Sequence, residues 1–351
     1  MTKIEKGVFF IPIEQSNLPY SDVLNRITKQ VIMCDKSKFE SAFFGEHLTD
    51  KYEKLSSSLM MIASLSNLTE KIKLGSMTAN LNFSGPAFMT CLISTADNLS
   101  KGRLLLGIGC GSNQCDVEAV GNLNKDNYKL MMESIKIIKE LLNSKDLVKL
   151  NYSNYNVSTI EKGDHGSGLG FFDGLYNRRS NLEIMMPALG KNSNNVKNCA
   201  INEWSILSTN FCDKRIIKNH IDFYNLNSKL EDYEIKNKIR ISRFIFVTEN
   251  TNDAEKYLFK DDSPYLFMIK IIFEKLKKIN KHYIFGDDTS SIKNIAKNIV
   301  LYGTPDEVSE KICDFTQEVG NFKTLVYTGI SKSNEIVYDN SLELFSNDVQ
   351  L

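Results

Sequence analysis

What this chain lacks narrows it first. Its 351 residues carry no net charge, with 43 acidic side chains against 43 basic ones. That balance leaves no electrostatic footprint for nucleic acid or an anionic membrane. No apolar run approaches the roughly 20 residues that span a bilayer. The opening MTKIEKGVFF has no long apolar segment before a small-residue cleavage site, so no export signal is expected. Only four histidines occur, His47, His165, His220 and His282, too dispersed for a metal site visible in sequence. The seven cysteines form no CxxC pair, and none has a His at zinc-ligand spacing. Reduced thiols in a cytoplasmic protein are therefore expected. No GxSxG elbow is present, so a Ser–His–Asp nucleophile has no support. Gly163 to Gly170 is glycine-rich but lacks the GK[ST] ending of a triphosphate-binding loop.

What is present alternates between two periods. Short apolar runs read as eight buried strands: 7–13, 42–44, 72–74, 103–108, 183–186, 204–207, 241–247 and 324–327. Near-continuous apolar runs suit parallel strands covered on both faces. Helical stripes lie between them, such as Met131, Ile135, Ile138 and Leu142. Thr304-Pro305-Asp306-Glu307 predicts a helix start, with an N-cap Thr, Pro at N1 and Glu at N3. Val308, Ile312, Phe315 and Val319 then share one face. Eight alternating units favour closure into a (β/α)8 barrel, with residues 1–351 as a single domain. Two stretches interrupt the rhythm, 145–181 after the fourth strand and 260–299 after the seventh. Each reads as a lid over a site or as an insertion without function.

Barrel chemistry gathers at the carboxyl ends of the strands. There the sequence places Gly45-Glu46-His47, then Gly75 to Asn80, then Gly109 to Asn113, then Gly190 to Ser193. His47 reads either as a catalytic imidazole or as a structural or exposed one. A neutral imidazole near pH 7 can accept and return a proton. Glu46, Asp116 and Glu118 stand near strand ends, so paired carboxylates for glycoside hydrolysis stay open. Gly107-Ile-Gly109-Cys-Gly111 imitates a dinucleotide fingerprint, but Ser112 holds the third glycine position and no helix is expected directly after it. A loop letting backbone approach a ligand is the simpler reading. Gly190-Lys-Asn-Ser193 precedes an expected helix, whose free N–H groups and dipole favour an anion. Ser193 could equally be a simple N-cap. Cys110 reads as a small loop residue or a reactive thiol.

Taken together and in order, these segments resemble the bacterial luciferase-like flavin monooxygenases. Phe43-Phe-Gly-Glu-His-Leu-Thr49 is similar to that family's (W/F)xxEHH segment. Ile72 to Asn80 followed by Pro86, Asp97 to Gly111 closed by Gly121, Gly303-Thr-Pro-Asp-Glu-Val308 and Ser341 to Val349 match further blocks in register. The resemblance implies a TIM barrel using reduced FMN from a separate reductase. Through a flavin C4a-hydroperoxide and O2, such an enzyme oxygenates a small or medium apolar organic substrate. It implies that His47 handles a proton or the flavin peroxide. Met77 and Thr78 match a non-prolyl cis peptide beneath the flavin, Cys110 a flavin-binding position, and Gly190 and Ser193 the phosphate site. A homodimer or heterodimer through residues 56–69 and 86–100 is also implied. Leu48, Ser84, Gly85, Cys110 and Leu189 depart from the pattern, which disfavours light emission. Relatives using deazaflavin for hydride transfer, and non-catalytic flavin-binding subunits, are the alternatives.

Overall fold

Runs that are apolar on both faces need cover on both faces, and these strands find it as the wall of a barrel. The computed structural model describes residues 4–13, 18–173, 182–330 and 336–351. In chain order the strands are β1 (Glu5–Phe10), β2 (Phe39–Phe44), β3 (Lys73–Asn80), β4 (Leu104–Gly109), β5 (Lys149–Asn151), β6 (Asn156–Ser158), β7 (Glu183–Ala188), β8 (Ser205–Ser208), β9 (Ile239–Val247), β10 (Val300–Gly303) and β11 (Thr324–Thr328). Eight of them, all except β5, β6 and β10, pair in parallel and close into a ring through β11–β1 and β8–β9. The expected (β/α)8 barrel is therefore present, and each expected run lies on one of its strands. β10 extends the sheet outward beside the end of β9. β5 and β6 form a separate antiparallel hairpin. Strands of three or four residues carry too little periodicity to be read from sequence, which is why these three were not expected.

The helix beginning at Thr304 forms as its signals dictate. Glu307 N–H donates to Thr304 Oγ1 at 3.3 Å, and Thr304 N–H donates back to Glu307 Oε2 at 2.8 Å. Its stripe of Val308, Ile312, Phe315 and Val319 is buried against the barrel. At the amino ends of the strands, Arg240 pairs with Glu183 at 2.7 Å, and Ser205 Oγ donates to Glu183 at 2.6 Å. That buried cluster joins β7, β8 and β9 at the end opposite the expected chemistry, where polar groups serve stability.

At the carboxyl end, β3 and β4 part from regular pairing. Their register shifts between Ser76 and Ala79, and the Met77–Thr78 peptide bond is cis. The Ser76 carbonyl turns toward Gly107, where a Cβ would lie 2.0 Å from it. A Cβ on Gly109 would lie 2.1 Å from Thr78 Oγ1. Gly107 and Gly109 thus belong to β4 and make room for irregular β3, which corrects the expectation of a glycine loop facing a ligand. Gly111, at φ +79°, does turn the chain. A six-residue helix, Gln114–Ala119, opens soon after, with Asn113 as its cap. The expectation of no helix there fails, because a helix this short carries no apolar stripe to read.

The two insertions go to different places. Residues 145–173 lean on the outside of helix Asn127–Asn143, where Ile137, Leu141 and Val148 gather Leu150, Tyr152, Val157 and Phe172. Residues 174–181 of that stretch lie outside the described residues. The second insertion bridges the mouth instead. Phe267 on helix Pro264–Lys278 meets Tyr52 edge-on at 5.1 Å, and Lys275 Nζ pairs with Asp50 at 2.8 Å. Past that helix, the Tyr283 hydroxyl lies over Gly190. The tip at 286–291 sits to the side, where Asp287 pairs with Arg215 at 2.6 Å.

Candidate active site

Because the barrel strands are parallel, the loops after β2, β3, β4 and β7 open at one end. His47, Met77, Thr78, Cys110, Gly190 and Ser193 therefore share the mouth. Within it, His47 is clamped at both ring nitrogens. Nδ1 lies 3.0 Å from Asp116 Oδ2, and Nε2 lies 3.4 Å from Glu53 Oε2. Asp116 is fixed in turn by the Thr49 amide at 2.8 Å and by the Thr49 hydroxyl. Burial alone would lower the His47 pKa, but Glu53, Asp116 and Asp50 outweigh it and raise it above the ordinary value. These three carboxylates shift the ring toward its protonated form relative to a free imidazole. Burial tends to raise Asp116, yet the bonds from Thr49 and His47 pull it below the carboxylate range. Asp116 is thus held as the anion that orients the Nδ1 side of the ring. Glu53 differs, because burial outweighs the attraction of His47 and raises its pKa.

Glu46, beside His47, points away from the ring and ties the mouth together. It accepts from Ser58 N–H at 2.9 Å, from Ser58 Oγ at 2.8 Å and from Asn80 N–H at 2.9 Å. Asn80 Oδ1 accepts from Gly111 N–H at 3.1 Å, which locks the loop after β4 onto the end of β3. The Cys110 carbonyl accepts from Asn82 Nδ2 at 3.0 Å. Its half-buried thiol is pushed up by burial, so it stays protonated, and the reactive-thiol reading loses its physical basis.

The Gly190–Ser193 turn precedes helix Asn194–Asn202. Ser193 occupies the N-cap position, but its side chain makes no capping bond. The first-turn N–H groups and the Ser193 hydroxyl are thus not spent on each other. Below the turn lies His220, fully buried, with Nε2 3.1 Å from the Gly190 carbonyl and Nδ1 3.0 Å from Ser208 Oγ. A carbonyl can only accept, so Nε2 carries the hydrogen and Nδ1 accepts from the serine. Burial lowers the His220 pKa from 6.5 to about 4. Because the unfolded chain binds the proton more tightly, the stability this group contributes is complete above the unfolded pKa and falls as pH drops from 6.5 toward about 4. The loss reaches about 3 kcal/mol at the lower limit. We expect chemical denaturation at neutral and mildly acid pH to show that decline in the wild type and a flatter one in His220→Gln.

Sequence reasoning found His47 and the turn at Gly190, noticed Asp116 and Glu46 without assigning them, and missed Glu53, Asp50, Lys275 and His220. The run Glu46-His47-Leu48-Thr49-Asp50 to Glu53 held the signal for two of these, an acidic loop directly after a strand-end histidine. Leu48, standing where a second histidine was expected, points out to solvent. Among the described residues no cluster of three metal-ligating side chains occurs, and no helix is long and apolar enough to cross a membrane.

Residues 6–158, which span β1 to the end of β6 and so hold the whole His47 cluster, match the pattern of the luciferase-like monooxygenases. Over that stretch the chain is similar to that family. Over 368 aligned positions it is 21% identical to 2,5-diketocamphane 1,2-monooxygenase 2 of Pseudomonas putida, covering 99% of this chain and 98% of the relative. The oxygenating constituent of 3,6-diketocamphane monooxygenase of Pseudomonas putida, solved in complex with FMN, superposes with a TM-score of 0.84 at 20% identity, covering 99% and 98% of the two chains. A coenzyme F420 dependent tetrahydromethanopterin reductase from Methanopyrus kandleri shares the fold with a TM-score of 0.69 at 16% identity, covering 99% of each chain.

Proposed function

We propose that this chain is a flavin-dependent monooxygenase of the luciferase-like kind that takes reduced FMN from a separate reductase, and O2, and oxygenates a small or medium apolar organic substrate. The carrying observation is that the clamped His47 and the uncapped turn at Gly190–Ser193 open at the same end of one barrel. Full-length similarity to the diketocamphane monooxygenases points the same way. The residues fit a flavin phosphate: helix Asn194–Asn202 presents its amino end without a capping side chain, which suits an anion. In this reading Gly190 and Ser193 hold the phosphate, and Met77, Thr78 and Cys110 line the ring. Bound reduced flavin supplies the oxygen-activating chemistry. The chain's own residues do the rest. His47, anchored at Nδ1 by Asp116, handles a proton at the mouth. Helix Pro264–Lys278 excludes water through its contacts with Tyr52 and Asp50. The whole chain acts as one domain, and its seven free cysteines suit a reducing cytoplasm. Exposed Met60, Leu68, Phe88 and Leu99 provide an apolar face for a dimer.

Two measurements test the reading. Oxygen uptake and 18O incorporation are expected with reduced FMN, and hydride transfer is not expected with reduced deazaflavin; the reverse outcome would replace the cofactor. In fluorescence titrations FMN should bind more tightly than riboflavin by about 1.5–3 kcal/mol, the worth of hydrogen bonds to a charged group. Ser193→Ala should narrow that difference, and equal binding of the two flavins would sink the phosphate assignment.

A further inference from the structure

Glu53 reaches the mouth from a backbone that is held in place. Its N–H donates to Asp50 Oδ1 at 3.1 Å, Ile13 bridges it in antiparallel fashion, and Lys54 N–H donates to the Pro12 carbonyl at 3.2 Å. Its two carboxyl oxygens face different groups. Oε2 contacts His47 Nε2 at 3.4 Å. Oε1 sits against Gly45, where a Cβ would lie only 2.7 Å away. Gly45 continues the alternation of Ser41 and Phe43, whose side chains face the barrel interior. The same imagined Cβ lies 3.8 Å from the Phe9 ring and 3.8 Å from the Met77 carbonyl. The Glu53 carboxyl therefore lies on the inner rim, beside the irregular end of β3, with His47 against its other oxygen. Among the described residues no backbone or side-chain hydrogen bond fixes Oε1. The charges facing this carboxyl are His47 and Asp50 on its own loop, Asp116 on helix Gln114–Ala119 and Lys275 on helix Pro264–Lys278.

We propose that Glu53, rather than His47, presents the proton to the reacting oxygen, and that His47 refills it. The Glu53 O–H bond breaks as the proton moves to an oxygen atom in the mouth, leaving a carboxylate. The His47 Nε2–H bond then breaks, and that proton restores Glu53 Oε2. The imidazole recovers a proton from water, and Asp116 keeps Nδ1–H oriented throughout. No electron is exchanged, and one proton enters from solvent for each one delivered. The identity of the reacting oxygen rests on the monooxygenase reading; the coupling of Glu53 to His47 does not.

The test uses the full chain and Glu53→Gln. Histidine side-chain NMR, with His47 assigned by His47→Asn, should show the His47 midpoint moving to lower pH in Glu53→Gln, because the carboxylate that Glu53 becomes on giving up its proton, and that then favours the imidazolium, can no longer form. Turnover of oxygenated product should fall by about 10²-fold or more, with FMN affinity within about threefold. An unmoved His47 midpoint, or unmoved turnover, overturns the proposal. Should Glu53→Gln fail to fold, the volume-matched Glu53→Met is read by the same two outcomes. If the wild type oxygenates nothing with reduced FMN while the midpoint still moves, the monooxygenase reading fails and the Glu53–His47 coupling stands.

Discussion

His47→Ala is expected to cut substrate oxygenation by about 10²- to 10⁴-fold while leaving FMN affinity nearly unchanged. The size follows from what the ring does. Its Nδ1 is held 3.0 Å from Asp116, its Nε2 3.4 Å from Glu53, and neither nitrogen faces the Gly190 turn where the phosphate is proposed to bind. Removing the ring therefore strips the proton route and leaves the anion-binding elements intact. Folding should suffer modestly, since Asp116 keeps its bonds from the Thr49 amide and hydroxyl. The remaining cost is electrostatic: Glu53 and Asp116 lose the cation between them. Because the folded His47 pKa is raised, the stability it contributes is complete below the unfolded value and is lost as pH rises through the folded one. His47→Ala should then differ from the wild type most at acid pH and least at alkaline pH. Stopped-flow oxygenation with a parallel FMN titration checks the first statement. Unchanged coupled turnover would remove His47 from the chemistry.

The barrel was legible because its signals are long. β9 is nine residues, every one buried, which calls for a parallel sheet covered on both faces, and the count of eight such units favours closing it. The helix at Thr304 was legible for a different reason: its capping box is local, and local chemistry survives whatever the tertiary context does. The mouth was only half legible. His47 and the Gly190 turn stand directly after strands, so counting strands locates them. Glu53 meets His47 from across a loop, Asp116 from a six-residue helix and Lys275 from an insertion far along the chain. Their convergence is set by packing, and no spacing in the sequence encodes it. The upward shift of the His47 pKa was illegible for the same reason, since it depends on three carboxylates whose nearness only the folded chain reveals. The covers divided likewise. Composition marked both insertions as unusual, but the contacts that place one over the mouth, Phe267 on Tyr52 and Lys275 on Asp50, are long-range.

Gly107→Ala is expected to be the most damaging single methyl group in the protein, costing at least about 4 kcal/mol. The added Cβ would sit 2.0 Å from the Ser76 carbonyl oxygen and 2.9 Å from Met77 Cε. The nearer atom is backbone, inside the ring, in a segment whose register already shifts and whose Ser76 hydroxyl donates to the Gly107 carbonyl at 2.9 Å. Neither strand can retreat without opening the β3–β4 seam. Gly109→Ala offers the informative contrast. Its Cβ would meet side-chain atoms only, the Thr78 hydroxyl oxygen at 2.1 Å, which can rotate away, and Thr78 Cβ at 2.8 Å, which cannot, so β3 must shift slightly and the loss should be smaller than for Gly107→Ala but still clear. What it should lose instead is the arrangement of Thr78 and Asn80, bonded at 3.2 Å, and with it affinity for the flavin ring. Gly85→Ala, with nothing within 4 Å of the new carbon, should change stability by no more than about 0.5 kcal/mol. Denaturation curves rank the three, and FMN titration separates the second from the first. If Gly107→Ala folds as well as Gly85→Ala, the close approach of β3 and β4 is wrong, and so is the placing of Met77 and Thr78 at the mouth that rests on it.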